Sequence, residues 1–295
     1  MTRNSIFIGL PTLMACVMLV AGCTADEMDV QNTKRSTEIR LTASMQQTTR
    51  SASNLQDTQV STEVAVGVYG VAGENTIANG DNAAYSVGNN HQLSTESAMA
   101  WPESGSVTIY AYAPRQENWS YSLATKTFTV AADQSSDEGY LSSDLIYAKA
   151  TPTEQSTVNL AFTHKLSRIA LTLQMDEGTS LTDATVKIVG TKPSTVFTLT
   201  NGSIGAATGT ATDITIGSGI TVGASSSTTL YGVMVPQTIS ANTTMIEVTA
   251  GGKVWRYHFG SEAVFVGGKS HSASITVSSN SFTSTIGSNA TEPAN

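Results

Sequence analysis

Residues 37–45 read Thr-Glu-Ile-Arg-Leu-Thr-Ala-Ser-Met. Ile39, Leu41, Ala43 and Met45 alternate with Glu38, Arg40, Thr42 and Ser44. A period of two puts one face in a core and the other in water, which describes a half-buried β-strand. The pattern returns at Val64/Val66/Val68, Val107/Ile109/Ala111, Phe128/Val130 and Val158/Leu160/Phe162. In the second half it recurs at Ile169/Leu171/Leu173, Val186/Ile188, Ile214/Ile216, Ile220/Val222, Tyr231/Val233/Val235, Ile246/Val248, Trp255/Tyr257/Phe259 and Ile275/Val277. Gly, Asn and Ser punctuate these runs, and Asn201-Gly202 and Gly251-Gly252 suit tight hairpin turns. No stretch carries helical periodicity. Short strands at this spacing, without a βαβ rhythm, predict an all-β chain of two antiparallel β-sandwich domains in tandem, 37–163 and 164–278.

Composition agrees with strand. Only 13% of the 295 residues are charged, against about 25% in typical soluble domains. Thr, Ser and Gly fill the gap, which is poor helix material and good strand material. The net charge of -8 makes nucleic acid and anionic headgroups poor partners.

The N-terminus reads as an export signal. Arg3 precedes an apolar run from Ile6, interrupted by Pro11 and too short to span a bilayer comfortably. The run closes on Val20-Ala21-Gly22-Cys23. Small residues before a cysteine resemble the lipobox of bacterial lipoproteins. That resemblance implies a signal peptide 1–22, cleavage between Gly22 and Cys23, and acylation of Cys23 as the membrane anchor. Of the two cysteines, Cys16 falls in the signal and Cys23 at the anchor, which leaves no thiol for disulfides, metal or nucleophilic chemistry. Residues 23–36 are polar and aperiodic, a flexible tether. The acids Asp26, Glu27 and Asp29 resemble a surface-export signal of some Gram-negative gut and oral bacteria, and equally suit a solvated linker.

Catalytic motifs are missing. His91, His164, His258 and His271 are scattered, without the spacing of metal ligands. Asp133, Asp137, Glu138 and Asp144 match no EF-hand loop and read more simply as turn acids. There is no nucleophile elbow and no Walker-type phosphate loop. The first-half aromatics Trp101, Tyr110, Tyr112, Trp119, Tyr121 and Tyr140 suit strand packing better than a sugar platform. The expectation is a protein that is not an enzyme, with no cofactor and no metal.

Several segments, taken in order, resemble the fimbrillin family of lipoprotein pilins. They are Val66-Gly67-Val68-Tyr69, Trp101-Pro102, Ile109-Tyr110-Ala111-Tyr112-Ala113-Pro114, and Asp133-Gln134-Ser135 leading to Ser143-Asp144-Leu145-Ile146-Tyr147-Ala148. The most specific is Leu160-Ala161-Phe162-Thr163-His164-Lys165-Leu166-Ser167-Arg168-Ile169. The resemblance covers residues 20 to about 175 well. Beyond that it rests on β-texture and on Gly267-Gly268-Lys269 before a last strand.

The resemblance implies a surface lipoprotein of the outer membrane that serves as a fimbrial subunit and supports adhesion, with other pilin subunits as partners. In polymerising members a surface Arg-specific or trypsin-like protease removes an N-terminal segment, and a strand of the next subunit fills the groove. Here the strand 37–45 would be the removable element, with Ile39, Leu41, Ala43 and Met45 as its buried face. Cleavage after Arg50 would free it. Arg35 and Arg40 are rivals, but Arg35 would leave the strand in place and Arg40 lies inside it. Burial of Ile39, Leu41 and Met45 is worth roughly 1.5–3 kcal/mol each before ordering costs. The tail 279–295 is a candidate donor strand through Phe282, Ile286 and Ala290, which recur at every fourth position. That thin apolar content leaves room for a tip or anchor subunit, or for a non-polymerising, lipid-anchored module that binds a glycan or host protein.

Overall fold

The computed structural model describes residues 38–46, 56–152, 156–278 and, as backbone, 283–291. The described residues are all-β apart from one short helix. In the first half the strands are β1 (Leu41–Met45), β2 (Val66–Ala72), β3 (Asn75–Thr76), β4 (Ala83–Val87), β5 (Gln92–Ser94), β6 (Thr108–Ala113), β7 (Lys126–Thr129), β8 (Ile146–Ala150) and β9 (Val158–His164), with helix α1 (Asp137–Leu141) before β8. The second half contributes β10 (Ser167–Met175), β11 (Leu181–Thr191), β12 (Ser194–Thr198), β13 (Ser203–Ile204), β14 (Thr212–Val222) and β15 (Ser227–Met234). It ends with β16 (Thr238–Ile239), β17 (Thr244–Ala250), β18 (Lys253–Phe259), β19 (Ala263–Val264), β20 (Ser270–Val277) and β21 (Thr283–Thr291).

The first sheet runs β3-β2-β4-β5-β1-β9-β8-β6, and a further pairing of β2 with β6 closes it into a barrel-like ring. Closure removes the unpaired edges that an open sheet presents. Two glycines of β2 on that ladder, Gly67 and Gly70, have no room for a side chain. Gly67 on β2 pairs with Tyr112 on β6, and a Cβ at Gly67 would stand 2.4 Å from the Tyr112 ring and 2.6 Å from Asn82 Oδ1. The Tyr112 hydroxyl donates to that same Asn82 oxygen at 2.8 Å. Gly67→Ala is therefore expected to cost about 1–3 kcal/mol through overpacking, read as a lowered urea midpoint.

The second sheet runs β14-β11-β17-β18-β21-β20-β10-β15. Its β17–β18 hairpin turns on Gly251 and Gly252, with φ of 55° and 73°, the geometry that Gly-Gly permits without strain. The changeover between the two sheets falls at Lys165–Leu166, between β9 and β10. A third sheet, β13-β12-β7, takes strands from both halves. Residues Thr37–Asn295 form one compact unit, with a single cluster of buried apolar residues running through it.

Purely antiparallel pairing does not hold. Three ladders are parallel: β1 with β9, β10 with β20, and β18 with β21. Side-chain alternation is the same in either direction, so period two tells buried from exposed and not up from down. α1 also departs from the helix-free expectation. Ser136 caps it, accepting from the Gly139 N–H, and Asp137 and Glu138 occupy its first turn, where acids are favoured.

Candidate functional site

β1 sits in the first ring between β5 and β9, and its two sides are held unequally. Toward β9 the parallel register runs through five pairs, from Leu41 with Val158 to Met45 with Phe162. Toward β5 it has two pairs, Leu41 with Leu93 and Thr42 with Gln92. The Ile39 and Ala43 N–H groups donate to the Met99 and His91 carbonyls at 2.9 and 2.8 Å, and Gln46 N–H donates to Phe162 O at 2.8 Å. Asn159 reaches over the outer face, accepting from Thr42 Oγ1 and donating to Ser44 Oγ. A cavity of about 370 Å³ follows the weaker side, between Arg40, Leu41 and Leu93.

The residues assigned to this strand take up the positions that the alternation requires. Ile39, Leu41, Ala43 and Met45 are all buried, and Glu38 and Arg40 are exposed. The Arg40 carbonyl accepts from Val158 N–H at 2.8 Å, so its peptide bond is tied into the ladder. Removal of β1 would leave β5 and β9 without a shared neighbour and the ring open. Gly22, Cys23, Arg35 and Arg50 lie outside the described residues, as does Phe282.

The tail is a strand, where the alternation of side chains had marked the last strand at Ile275/Val277. β21 inserts between β18 and β20, parallel to the first and antiparallel to the second. Its backbone pairs Ile286 with Phe259 and Ala290 with His271. β1 and β21 therefore share an arrangement, parallel to one neighbour and antiparallel to the other.

Two of the segments that resemble the family, the one with Asp144 and the one with His164 and Arg168, meet at the sheet changeover. His164 Nδ1 and Asp144 Oδ1 are 2.9 Å apart, both buried. Gln56 Nε2 donates to Asp144 Oδ2 and to its carbonyl at 3.4 and 3.5 Å. Arg168 Nη1 donates to both Asp57 oxygens at 2.8 Å, while Arg168 Nε donates to Ser270 Oγ at 3.0 Å. The guanidinium also lies 5.1 Å from the Tyr231 ring centroid. Exposure is 1% at Gln56, 3% at Asp57 and 2% at Arg168. Burial alone would lower the Arg168 pKa, but Tyr140 and Asp57 outweigh it and hold the guanidinium above its ordinary value. Gly267-Gly268-Lys269 closes the same junction: Gly268 N–H donates to Leu166 O, and Arg168 N–H donates to Lys269 O.

Asp144 is thus a buried partner instead of a turn acid at the surface. Asp133 does act as a turn acid, accepting from the Ser135 N–H and hydroxyl, bonds that lower its pKa. Sequence reading missed Gln56, Asp57 and Ser270. The signal that could have found them is Arg168 itself, a lone charge in the apolar run Ile169/Leu171/Leu173, which demands a buried counter-charge.

The aromatics pack inward. Trp119 is buried and stacks on Tyr112 at 4.8 Å and on Phe197 at 5.5 Å, centroid to centroid. Tyr110, Tyr112 and Tyr140 are buried as well, and Trp101 and Tyr121 are half-buried. Phe197 on β12 belongs to the second half, so the stack pins the halves together. Gln134 adds to this by accepting from Val233 N–H at 2.7 Å and donating to Val233 O at 2.8 Å.

A fimbrillin-like family model matches residues 49–291. The chain belongs to the fimbrillin-like family. No curated protein matches it. Among solved structures, a candidate cell adhesion protein of Bacteroides uniformis superposes with a TM-score of 0.63 at 21% identity, covering 87% of this chain and 99% of the other. One of Bacteroides ovatus gives 0.63 at 18%, covering 86% and 96%. A third, of Bacteroides thetaiotaomicron, gives 0.52 at 17%, covering 82% and 92%. Likeness at these identities establishes a shared fold.

Proposed function

We propose that this fimbrillin-like protein is a structural subunit of a surface fimbria, supports adhesion, and assembles when β1 is cut away and replaced by a strand of a neighbouring subunit. The observation that carries this reading is the place of β1: a short strand, the first among the described residues, without which the ring of the first sheet is open. The family membership and the adhesion proteins of the same fold support it. The role is structural and not enzymatic. Export through signal 1–22, lipidation of Cys23 and the tether 23–36 would bring the chain to the outer membrane and the cell surface. Domains 37–163 and 164–278 would meet at the sheet changeover.

Two features of the sequence support the finer steps. Between Arg40 and Arg115 the chain contains one arginine or lysine, Arg50. An Arg-specific or trypsin-like protease then has one susceptible bond between the laddered Arg40 and the second part of the fold. The tail in turn offers Phe282-Thr283-Ser284-Thr285-Ile286 against Leu41-Thr42-Ala43-Ser44-Met45. Position by position this is large, Thr, small, hydroxyl, large. Phe282 and Ile286 would fill the places of Leu41 and Met45, with Ala290 beyond the slot.

The intact mass of protein recovered from the cell surface tests this. The expected species begins at Ser51 and carries no lipid, and Arg50→Ala is expected to block it and leave no polymer. Recovery of the acylated chain with residues 24–50 in place would favour an anchor subunit or a non-polymerising surface binder. Polymer formed normally by Arg50→Ala would overturn the site.

A further inference from the structure

We propose that the cleft between β4 and residues 94–97 is a binding site for a neutral oligosaccharide. The cleft contains no residue of β1, so the inference stands whether or not the chain polymerises.

The cleft exists because β5 is short. Its ladder with β4 ends at Ser86 and Ser94. On the other side Leu41 pairs with Leu93, while the Ile39 N–H bonds the Met99 carbonyl. Residues 94–98 therefore stand opposite Arg40 alone, and the extra chain bows out as a bulge, a device that often borders functional sites. Between this bulge, Ala83 and Ala84 of β4 and the loop 76–81 lies a cavity of about 920 Å³. That is within the size range of ligand pockets.

The loop is fixed before any ligand arrives. Ile77 N–H donates to Gly70 O at 2.9 Å, Gly80 N–H to Ile77 O at 2.9 Å, and Gly70 N–H to Gly80 O at 3.0 Å. Asn79 and Asn82 adopt φ of 57° and 51°, left-handed geometry that asparagine tolerates. Asn82 is buried, its Nδ2 donating to Gln116 O at 2.8 Å, and Asn79 Nδ2 donates across to Ala98 O at 3.3 Å. Tyr121 N–H donates to Asp81 Oδ1 at 2.7 Å and holds that carboxylate in place. A site fixed in this way gives up little conformational freedom on binding.

The lining sets the ligand class. Asp81 Oδ2, the Glu96 carboxylate and the hydroxyls of Thr76, Ser86 and Ser94 bond no other described residue. Ile77, Ala83 and Ala84 add an apolar patch among them. Among the described residues no lysine, arginine or histidine lines the cleft, so phosphate, sulfate and sialylated sugars meet no counter-charge. Among those residues no third acid joins Asp81 and Glu96 to complete a cation cage. A lysine-rich peptide would use the two acids only, and exposed ion pairs are weak. A neutral sugar chain uses everything present. Its hydroxyls donate to the carboxylates and exchange bonds with the protein hydroxyls, while its C–H faces cover the apolar patch.

The test is a printed array of neutral and sialylated glycans probed with the full chain, followed by titration calorimetry with the neutral glycan that binds best. Neutral spots are expected to bind, and sialylated forms of the same cores to bind less. Asp81→Asn keeps the oxygen that Tyr121 bonds and is expected to weaken binding about tenfold, by loss of a charge-assisted acceptor. Ala84→Trp, at an exposed position of β4, fills the cleft and is expected to abolish binding. Where either variant lowers the urea midpoint, Glu96→Gln on the bulge serves, with several-fold weaker binding expected at an unchanged midpoint. An array with no neutral glycan bound would overturn the proposal. So would binding that all three variants retain, or a chain that takes up hexalysine and no sugar.

Discussion

Arg168→Ala is expected to cost the uncut chain about 3–5 kcal/mol, because it leaves the Asp57 carboxylate buried without its counter-charge. The guanidinium meets both Asp57 oxygens at 2.8 Å, bonds Ser270 and lies over Tyr231, so packing goes with the charge. In a chain of this size that corresponds to a fall in melting temperature on the order of 10 °C, measured by circular dichroism. The effect belongs to breaking the pair and not to its existence. The double change Asp57→Leu with Arg168→Met is expected to recover most of the loss, since apolar replacements of buried pairs are often neutral. A loss below about 1 kcal/mol for Arg168→Ala would contradict the burial described for this junction.

Leu41→Ala is expected to cost about 2–5 kcal/mol in the uncut chain, the usual range for emptying a fully buried leucine site. Its side chain lies inside the first ring, with β9 on one side and β5 on the other. Once the chain is cut after Arg50 and β1 is released, the same substitution is expected to have no effect, because the residue is gone. Urea denaturation of the two variants, before and after cutting, reads both numbers. An equal loss in cut and uncut protein would mean that β1 stays bound after cleavage, and strand exchange would then need another slot.

Leu41 is paired with β9 and Arg168 lies on β10, and the partners of both were invisible in the sequence. The alternation of Ile39, Leu41, Ala43 and Met45 sufficed to mark a half-buried strand, since burying one face of a strand needs only every second residue apolar. The same local rule identified β6, β9, β10, β17 and β18, and Gly251-Gly252 marked the turn between the last two. Low charge and abundant Thr pointed away from helix, and α1 departs from that because a Ser cap and two acids outweigh the strand-rich surroundings.

Direction and partnership were decided elsewhere. A strand's period does not say which neighbour it takes, and the parallel ladders join β1 to β9 and β10 to β20 across long stretches of chain whose turn signals serve other strands. β21 eluded the pattern for a related reason. Its pairing is made by backbone groups between β18 and β20, which every residue except proline carries alike. The buried cluster of Gln56, Asp57, Asp144, His164 and Arg168 draws on three separate segments, and no local pattern records a polar group whose partner lies a hundred residues away. The sequence by itself determined which residues are strand, which face of each is buried and where the chain turns, because those depend on neighbours within a few residues. Only the tertiary structure decided that β1 completes a ring, that the tail lies between β18 and β20, and that one arginine ties the segment after Arg50 to the second sheet. Those depend on which distant surfaces bury one another.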